Sequence, residues 1–149
     1  MPKLDLDAVP ATAGNLYPEP LRAAVRGRSV RRLGPAAGLT DFGVGHVVLA
    51  PGAATSQRHW HEGEDEFVVI LEGEAVLIEE GSRVTLRAGD CAAFAKGIAN
   101  GHQIVNESDA PVVLIGVGRI PGTDCHYSDV DLHFSAADRQ YRHKDGAPY

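Results

Sequence analysis

From about residue 28 onward, short apolar runs alternate with turn residues. The runs at 28–33, 42–49, 66–71, 74–78, 83–86, 92–94, 103–106 and 112–117 have the length and the Val, Ile and Phe content of strands. Turn signals separate them: Pro51-Gly52, Glu72-Gly73-Glu74, Glu80-Gly81-Ser82, Ala88-Gly89-Asp90 and Ser108-Asp109-Ala110-Pro111. About eight strands at this even spacing predict an all-β barrel or sandwich. No long segment carries a 3.6-residue apolar period, and no internal repeat is visible.

The two ends read differently. Residues 1–27 form an extended arm, interrupted by Pro2, Pro10, Pro18 and Pro20, with an irregular stretch at Asn15-Leu16-Tyr17-Pro18 and one helical turn at 21–25. Leu16, Tyr17, Leu21 and Val25 are too apolar for a disordered tail, so the arm is expected to lie across the domain. After residue 123 the chain is polar. Val130 and Leu132 alternate with aspartates, which predicts an edge strand over 127–132, followed by a short helix at 136–141 and a loosely packed end at 142–149. The organisation expected is an arm at 1–27, a barrel at 28–135 and a tail at 136–149.

The chain has 149 residues, enough for one core, and its 44% hydrophobic and 23% charged content is that of a globular protein. Seventeen Gly and nine Pro agree with a turn-rich, strand-rich fold. A formal net charge of −6 disfavours nucleic acid as a partner. The local exception, Arg22, Arg26, Arg28, Arg31 and Arg32, reads as a solvated part of the arm. No apolar run approaches the ~20 residues that cross a bilayer. The start has no apolar segment of the signal-peptide kind, so a cytoplasmic location is expected and no membrane partner. Cys91 and Cys125 show no metal or redox spacing; Cys91 reads as a small buried side chain.

The chemistry lies in Gln57-Arg58-His59-Trp60-His61-Glu62-Gly63-Glu64-Asp65-Glu66. On a strand, residues i and i+2 share a face, so His59 and His61 project together and Trp60 points away. Two neighbouring imidazoles are a ready chelate for a divalent metal. A tight turn then brings Glu66 back with a hard carboxylate oxygen. Val68 and Ile70 follow Glu66 on the inner face as an apolar floor. Phe67, Val69 and Leu71 then face outward as a row that needs a cover, which predicts a homodimer unless the arm covers it. His102 opens a later strand and can turn inward beside His59 and His61, with Asn106 four residues on bonding loop backbone. Gln57 shares the His59 face, either as a ligand-orienting amide or as a core amide. Glu64 and Asp65 read as solvated turn acids, Lys96 as an exposed loop lysine, His46 as structural, and His126, His133 and His143 as tail residues.

With these residues in place, the chain resembles the cupin superfamily. Gly52, His59-Trp60-His61, Glu66 after four residues and Gly73 after six more resemble its first motif. Gly89, Ala95-Lys96-Gly97, His102 and Asn106 resemble its second. The spacer after Gly52 is one residue longer than the common pattern, Ala95 replaces a proline, and the loop before His102 is two residues longer. The resemblance implies a double-stranded β-helix, or jelly-roll, barrel with one divalent metal (Fe, Mn, Zn or Ni) held by His59, His61, Glu66 and His102. It implies a small-molecule substrate or ligand without naming a reaction. Three readings stand: an enzyme on a small polar molecule, with oxygenase chemistry slightly favoured over a metal-dependent sugar isomerase or epimerase; a non-catalytic binding or sensing module; and a structural metal that fills the barrel without turnover.

Overall fold

A computed structural model of the chain describes residues 3–13, 16–119 and 122–149. The outermost Met1-Pro2 of the arm and Asn15 of its irregular stretch lie outside the described residues. Thirteen strands are formed among them: β1 (Ala11–Thr12), β2 (Arg28–Arg32), β3 (Gly43–Leu49), β4 (His59–His61), β5 (Glu66–Glu72), β6 (Glu74–Glu79), β7 (Ser82–Arg87), β8 (Cys91–Phe94), β9 (Gln103–Val105), β10 (Val112–Gly118), β11 (Cys125–Tyr127), β12 (His133–Ser135) and β13 (Gln140–Arg142). One short helix, α1 (Leu33–Ala36), and a 3-10 turn at Leu21–Val25 are the helical parts. The all-β expectation is met.

Every strand pairing is antiparallel. A six-stranded sheet runs β1-β2-β3-β10-β5-β8, a three-stranded sheet runs β7-β6-β9, and a four-stranded sheet runs β13-β12-β11-β4. The first two pack face to face. Leu49, Ile70 and Leu114 from one meet Leu77, Leu86 and Ile104 from the other, all nearly or wholly buried. Each of these alternates with an outward neighbour, as half-buried strands require. A second cluster joins the arm to the four-stranded sheet through Tyr17, Val25, Cys125, Tyr127 and Leu132.

The short β4 is the seam between these parts. On one side its three residues pair in register with β11; on the other, His59 bridges His102. Inward and outward positions on β5 fall as alternation predicts. Ile70 is 1% exposed, whereas Phe67 and Leu71 are 42% and 44% exposed.

Several local expectations are corrected. The edge strand expected at 127–132 is displaced: β11 ends at Tyr127, and β12 begins at His133. Residues 128–131 are turned by polar contacts, with Asp129 taken by Arg58 and Asp131 by His143 and the Lys144 amide. No helix forms at 136–141; the chain turns back as β13, which pairs with β12 and buries Tyr141 beside Phe134. The last residues are tied down by an Arg142–Pro148 bridge and by the Tyr149 hydroxyl donating to the Asp131 carbonyl. Cys91 is exposed rather than buried, because it sits on the outer face of the edge strand β8.

Candidate metal centre

His59 and His61 project from β4, Glu66 opens β5, and His102 stands just before β9. The structure brings all four together. Glu66 Oε2 lies 2.8 Å from His102 Nε2, 3.6 Å from His61 Nε2 and 3.7 Å from His59 Nε2. His59, Glu66 and His102 also place ligand atoms within 4.8 Å of one another. Donors about 2.1 Å from a shared ion stand roughly 3 to 3.5 Å apart at octahedral or tetrahedral angles. The spacing of His59, Glu66 and His102 therefore fits a single divalent ion, and His61 reaches the same Glu66 oxygen at 3.6 Å.

Protonation fits as well. His59 Nδ1 lies 3.0 Å from the Gln57 carbonyl and 3.1 Å from Ser56 Oγ; a proton on this nitrogen, donated to the carbonyl, leaves the Nε2 lone pair toward Glu66. Burial pulls the His59 pKa down to about 4, with Glu66 opposing and the other two imidazoles adding, so the ring is neutral at pH 7. Burial opposes ionisation of Glu66, but the His102 hydrogen bond and the facing imidazoles outweigh it and hold the carboxyl at about 2. A neutral His59 beside an ionised Glu66 suits a divalent transition metal.

Neighbouring groups hold these side chains in place. Phe94 stacks on His102 with ring centroids 3.6 Å apart, and Tyr127 stacks behind His59 at 5.9 Å. His61 Nδ1 stands 3.3 Å from Glu64 Oε2. Glu64 is corrected from a solvated turn acid to a buried one, 3% exposed. Its carboxylate accepts from the Gly122 and Thr123 amides and the Thr123 hydroxyl, fastening the loop before β11 behind His61. A Cβ at Gly101 would stand 2.1 Å from Ser128 Oγ and 3.1 Å from its Cβ, so a side chain there would force Ser128 to turn away, and glycine lets this loop close without that shift.

Other candidates fall elsewhere. Trp60 faces away from the site and stacks on His126 at 4.3 Å. Gln57 binds the arm, donating to the Leu21 carbonyl, and so takes the structural of its two readings. Asn106 is fully buried and donates to the Leu49 and Ala110 carbonyls, as expected of its amide. His133 and His143 pair with Asp124 and Asp131 in the C-terminal region.

Sequence reasoning missed two features. Cys125 lies across β11 from His61 and forms a second cluster with His59 and His61. Burial pushes its thiol up to about 12, so it is protonated at neutral pH and a poorer ligand there than Glu66. The second is a cavity of about 540 Å³ that opens beside His59, Glu66 and His102 and is walled by Arg28, Arg32 and Arg119. The basic run is thus corrected in part: Arg28 and Arg32 belong to β2 and face the cavity. Their period-two spacing was the available signal. A smaller cavity of about 240 Å³ lies on the His61 side, and Glu66, Phe94 and His102 border both.

Comparison with known proteins places this geometry. A family model described as the cupin domain matches residues 45–118. A protein from Silicibacter pomeroyi, described as a sugar phosphate isomerase of the cupin superfamily, is 46% identical over 99% of this chain and 96% of its own, with a TM-score of 0.93. A candidate sugar phosphate isomerase from Acidithiobacillus ferrooxidans is 24% identical over 77% of this chain and 74% of that one, with a TM-score of 0.71, a likeness of fold. A tetracenomycin polyketide synthase protein from Streptomyces glaucescens is 28% identical over 78 residues, 52% of this chain and 50% of that protein. The chain thus spans about half the length of the curated relative it matches.

Proposed function

The chain belongs to the cupin superfamily, and on that premise we propose that it is a metal-dependent isomerase or epimerase of a small sugar-type substrate. The carrying observation is the placement of His59, Glu66 and His102 at the wall of a cavity with a polar, arginine-bearing rim, with His61 reaching the same Glu66 oxygen from the smaller cavity. The isomerase description of the Silicibacter pomeroyi relative supports the same reading. Oxygenase chemistry, slightly favoured from sequence, has the apolar wall of Val47, Val68 and Leu114 on its side. It gives no role to the arginines.

A divalent ion held by these four residues supplies Lewis-acid polarisation of adjacent carbonyl and hydroxyl oxygens. The protein supplies the rest. Among the described residues lining the larger cavity, Glu66 is the one carboxylate. Its Oε2 turns to the imidazoles, while Oε1 points toward Gly118, where a Cβ would stand 3.8 Å away. With its carboxyl held at about 2, Glu66 serves as a ligand rather than as the base, and proton transfer between neighbouring substrate carbons takes place beside it. The apolar wall limits water around that transfer.

The test uses protein reconstituted separately with Mn, Zn, Fe(II) and Ni. Aldose and ketose phosphates are followed by NMR in deuterated water. Interconversion with solvent deuterium entering next to the carbonyl, abolished in Glu66→Gln, is the expected result. No turnover of any sugar, together with oxygen consumption by Fe(II)-loaded protein on catechols or diketones, would return the oxygenase reading.

A further inference from the structure

On β2, Arg28, Val30 and Arg32 share the cavity face, and Arg119 follows β10 at the rim. Arg58, Arg83, Arg87 and Arg142 each have a carboxylate partner. Among the described residues Arg28, Arg32 and Arg119 have none, nor do Arg26, Arg31 and Arg139, but only the first three line the cavity, and the chain as a whole is acidic. One N–H of Arg28 is used on the Thr55 carbonyl. Burial lowers the Arg28 pKa; Tyr17 and Tyr141 oppose this, and the Arg32 charge adds to it. Clustered cations beside a low-dielectric wall form a site that an anion relieves.

The floor beside Arg32, toward Glu66, is built largely of glycines. In register, Arg32 faces Gly45, Gly45 faces Gly116, and Gly116 faces Val68; one row over, Gly43 faces Gly118, which faces Glu66. A Cβ at Gly116 would meet nothing within 4 Å. From β2 to β5 is three inter-strand spacings, about 14 Å. An arginine side chain and a short sugar phosphate fill such a span together.

We infer that Arg32, with Arg119 at the rim, forms an anchoring subsite for the phosphate monoester of the substrate, Arg28 adding its charge from four residues back on the same strand face, with Gly45 and Gly116 leaving room for its carbon chain toward Glu66. This rests on the isomerase reading for the other end of the cavity. Two or three guanidinium groups match a dianion better than the single charge of a carboxylate.

Calorimetric titration of the metal-replete protein tests it, with ribose 5-phosphate, ribose, gluconate and inorganic phosphate as probes. Ribose 5-phosphate should bind at least tenfold tighter than ribose or gluconate. Arg32→Gln and Arg119→Gln should each weaken it about tenfold to hundredfold, leaving ribose binding, metal content and melting temperature unchanged. Gly116→Val should exclude ribose 5-phosphate yet keep inorganic phosphate, without loss of stability. Unchanged ribose 5-phosphate affinity in both arginine variants would overturn the subsite. So would gluconate binding as tightly, or no binding of any probe. Arginine-dependent binding without turnover would leave the subsite standing and sink the isomerase reading. Sugar turnover indifferent to the arginines would do the reverse.

Discussion

His59 and His102 face each other in a reciprocal backbone bridge. The His59 N–H donates to the His102 carbonyl at 3.1 Å, and the His102 N–H donates back at 2.8 Å. Forty-three residues of sequence separate them, yet each fixes the other's backbone, and their rings stand 4.8 Å apart on the same side of the bridge.

That arrangement leads to the first prediction. Protein purified without added metal or chelator should carry about one equivalent of a divalent transition metal by elemental analysis. The His59→Ala, His61→Ala double variant should carry almost none while keeping its β-sheet circular dichroism. Metal equal in both proteins would reject the four-ligand site. Iron or manganese against zinc or nickel would direct which reconstituted form is assayed.

Glu64 gives a second prediction. Its buried carboxylate accepts three hydrogen bonds from Gly122 and Thr123. Glu64→Ala strands those donors and should lower unfolding free energy by about 2 to 4 kcal/mol in urea. It should also weaken metal binding severalfold, because His61 loses the carboxylate behind its Nδ1. Stability lost with metal affinity unchanged would limit Glu64 to fastening the loop.

A third concerns pH. The folded His59 titrates near 4 against an ordinary value of 6.5. Between those values the unfolded chain holds a proton that the folded chain does not, so acid favours unfolding. The contribution is fully present above 6.5 and drains away as pH falls toward 4. For metal-free protein the loss from this ring between pH 7 and pH 5 is on the order of 2 kcal/mol. Glu66, held at about 2 instead of 4.5, acts in the same direction at lower pH: its contribution is present above 4.5 and lost toward 2. Urea midpoints measured at pH 7 and pH 5 should separate accordingly, and the separation should shrink in His59→Gln. Equal shifts in both proteins would assign the effect to other groups.

What the sequence showed and hid follows from the range of the interactions. His59, His61, Glu66, Val68 and Ile70 were readable because a strand's two-residue period is local. Asn106 was readable because one of its partners, the Ala110 carbonyl, lies in the loop that follows it, although the other, the Leu49 carbonyl, comes from the end of β3. Arg28 and Arg32 obey the same period, but five arginines within eleven residues read as a solvated run until β3 was seen to pair with β2. Glu64 and Cys125 could not be placed, since their surroundings depend on β11 returning to β4 from about sixty residues away. The tail misled through Val130 and Leu132, whose alternation resembles a strand although the intervening aspartates are spent on Arg58, His143 and Lys144.

The outer face of the six-stranded sheet carries the last prediction. In register, Ile115 faces Val69 and Val117 faces Phe67, and Val48 faces Val113 on the neighbouring pair. Phe67 and Leu71 stay 42% and 44% exposed, while the arm strand β1 joins the opposite edge of the sheet at β2. A flat apolar face of this kind gains most by meeting its own copy across a two-fold axis, and we propose a homodimer formed there. Val69→Glu places a carboxylate at the centre of that contact, where burial without a partner costs several kcal/mol. In the monomer the same carboxylate is solvated, so folding should survive, as circular dichroism would show. Light scattering should give a dimer mass for the native chain and a monomer mass for the variant. A native chain that is already monomeric, or a variant of unaltered mass, would remove the homodimer and leave the Phe67, Val69 and Leu71 row as ordinary exposed surface.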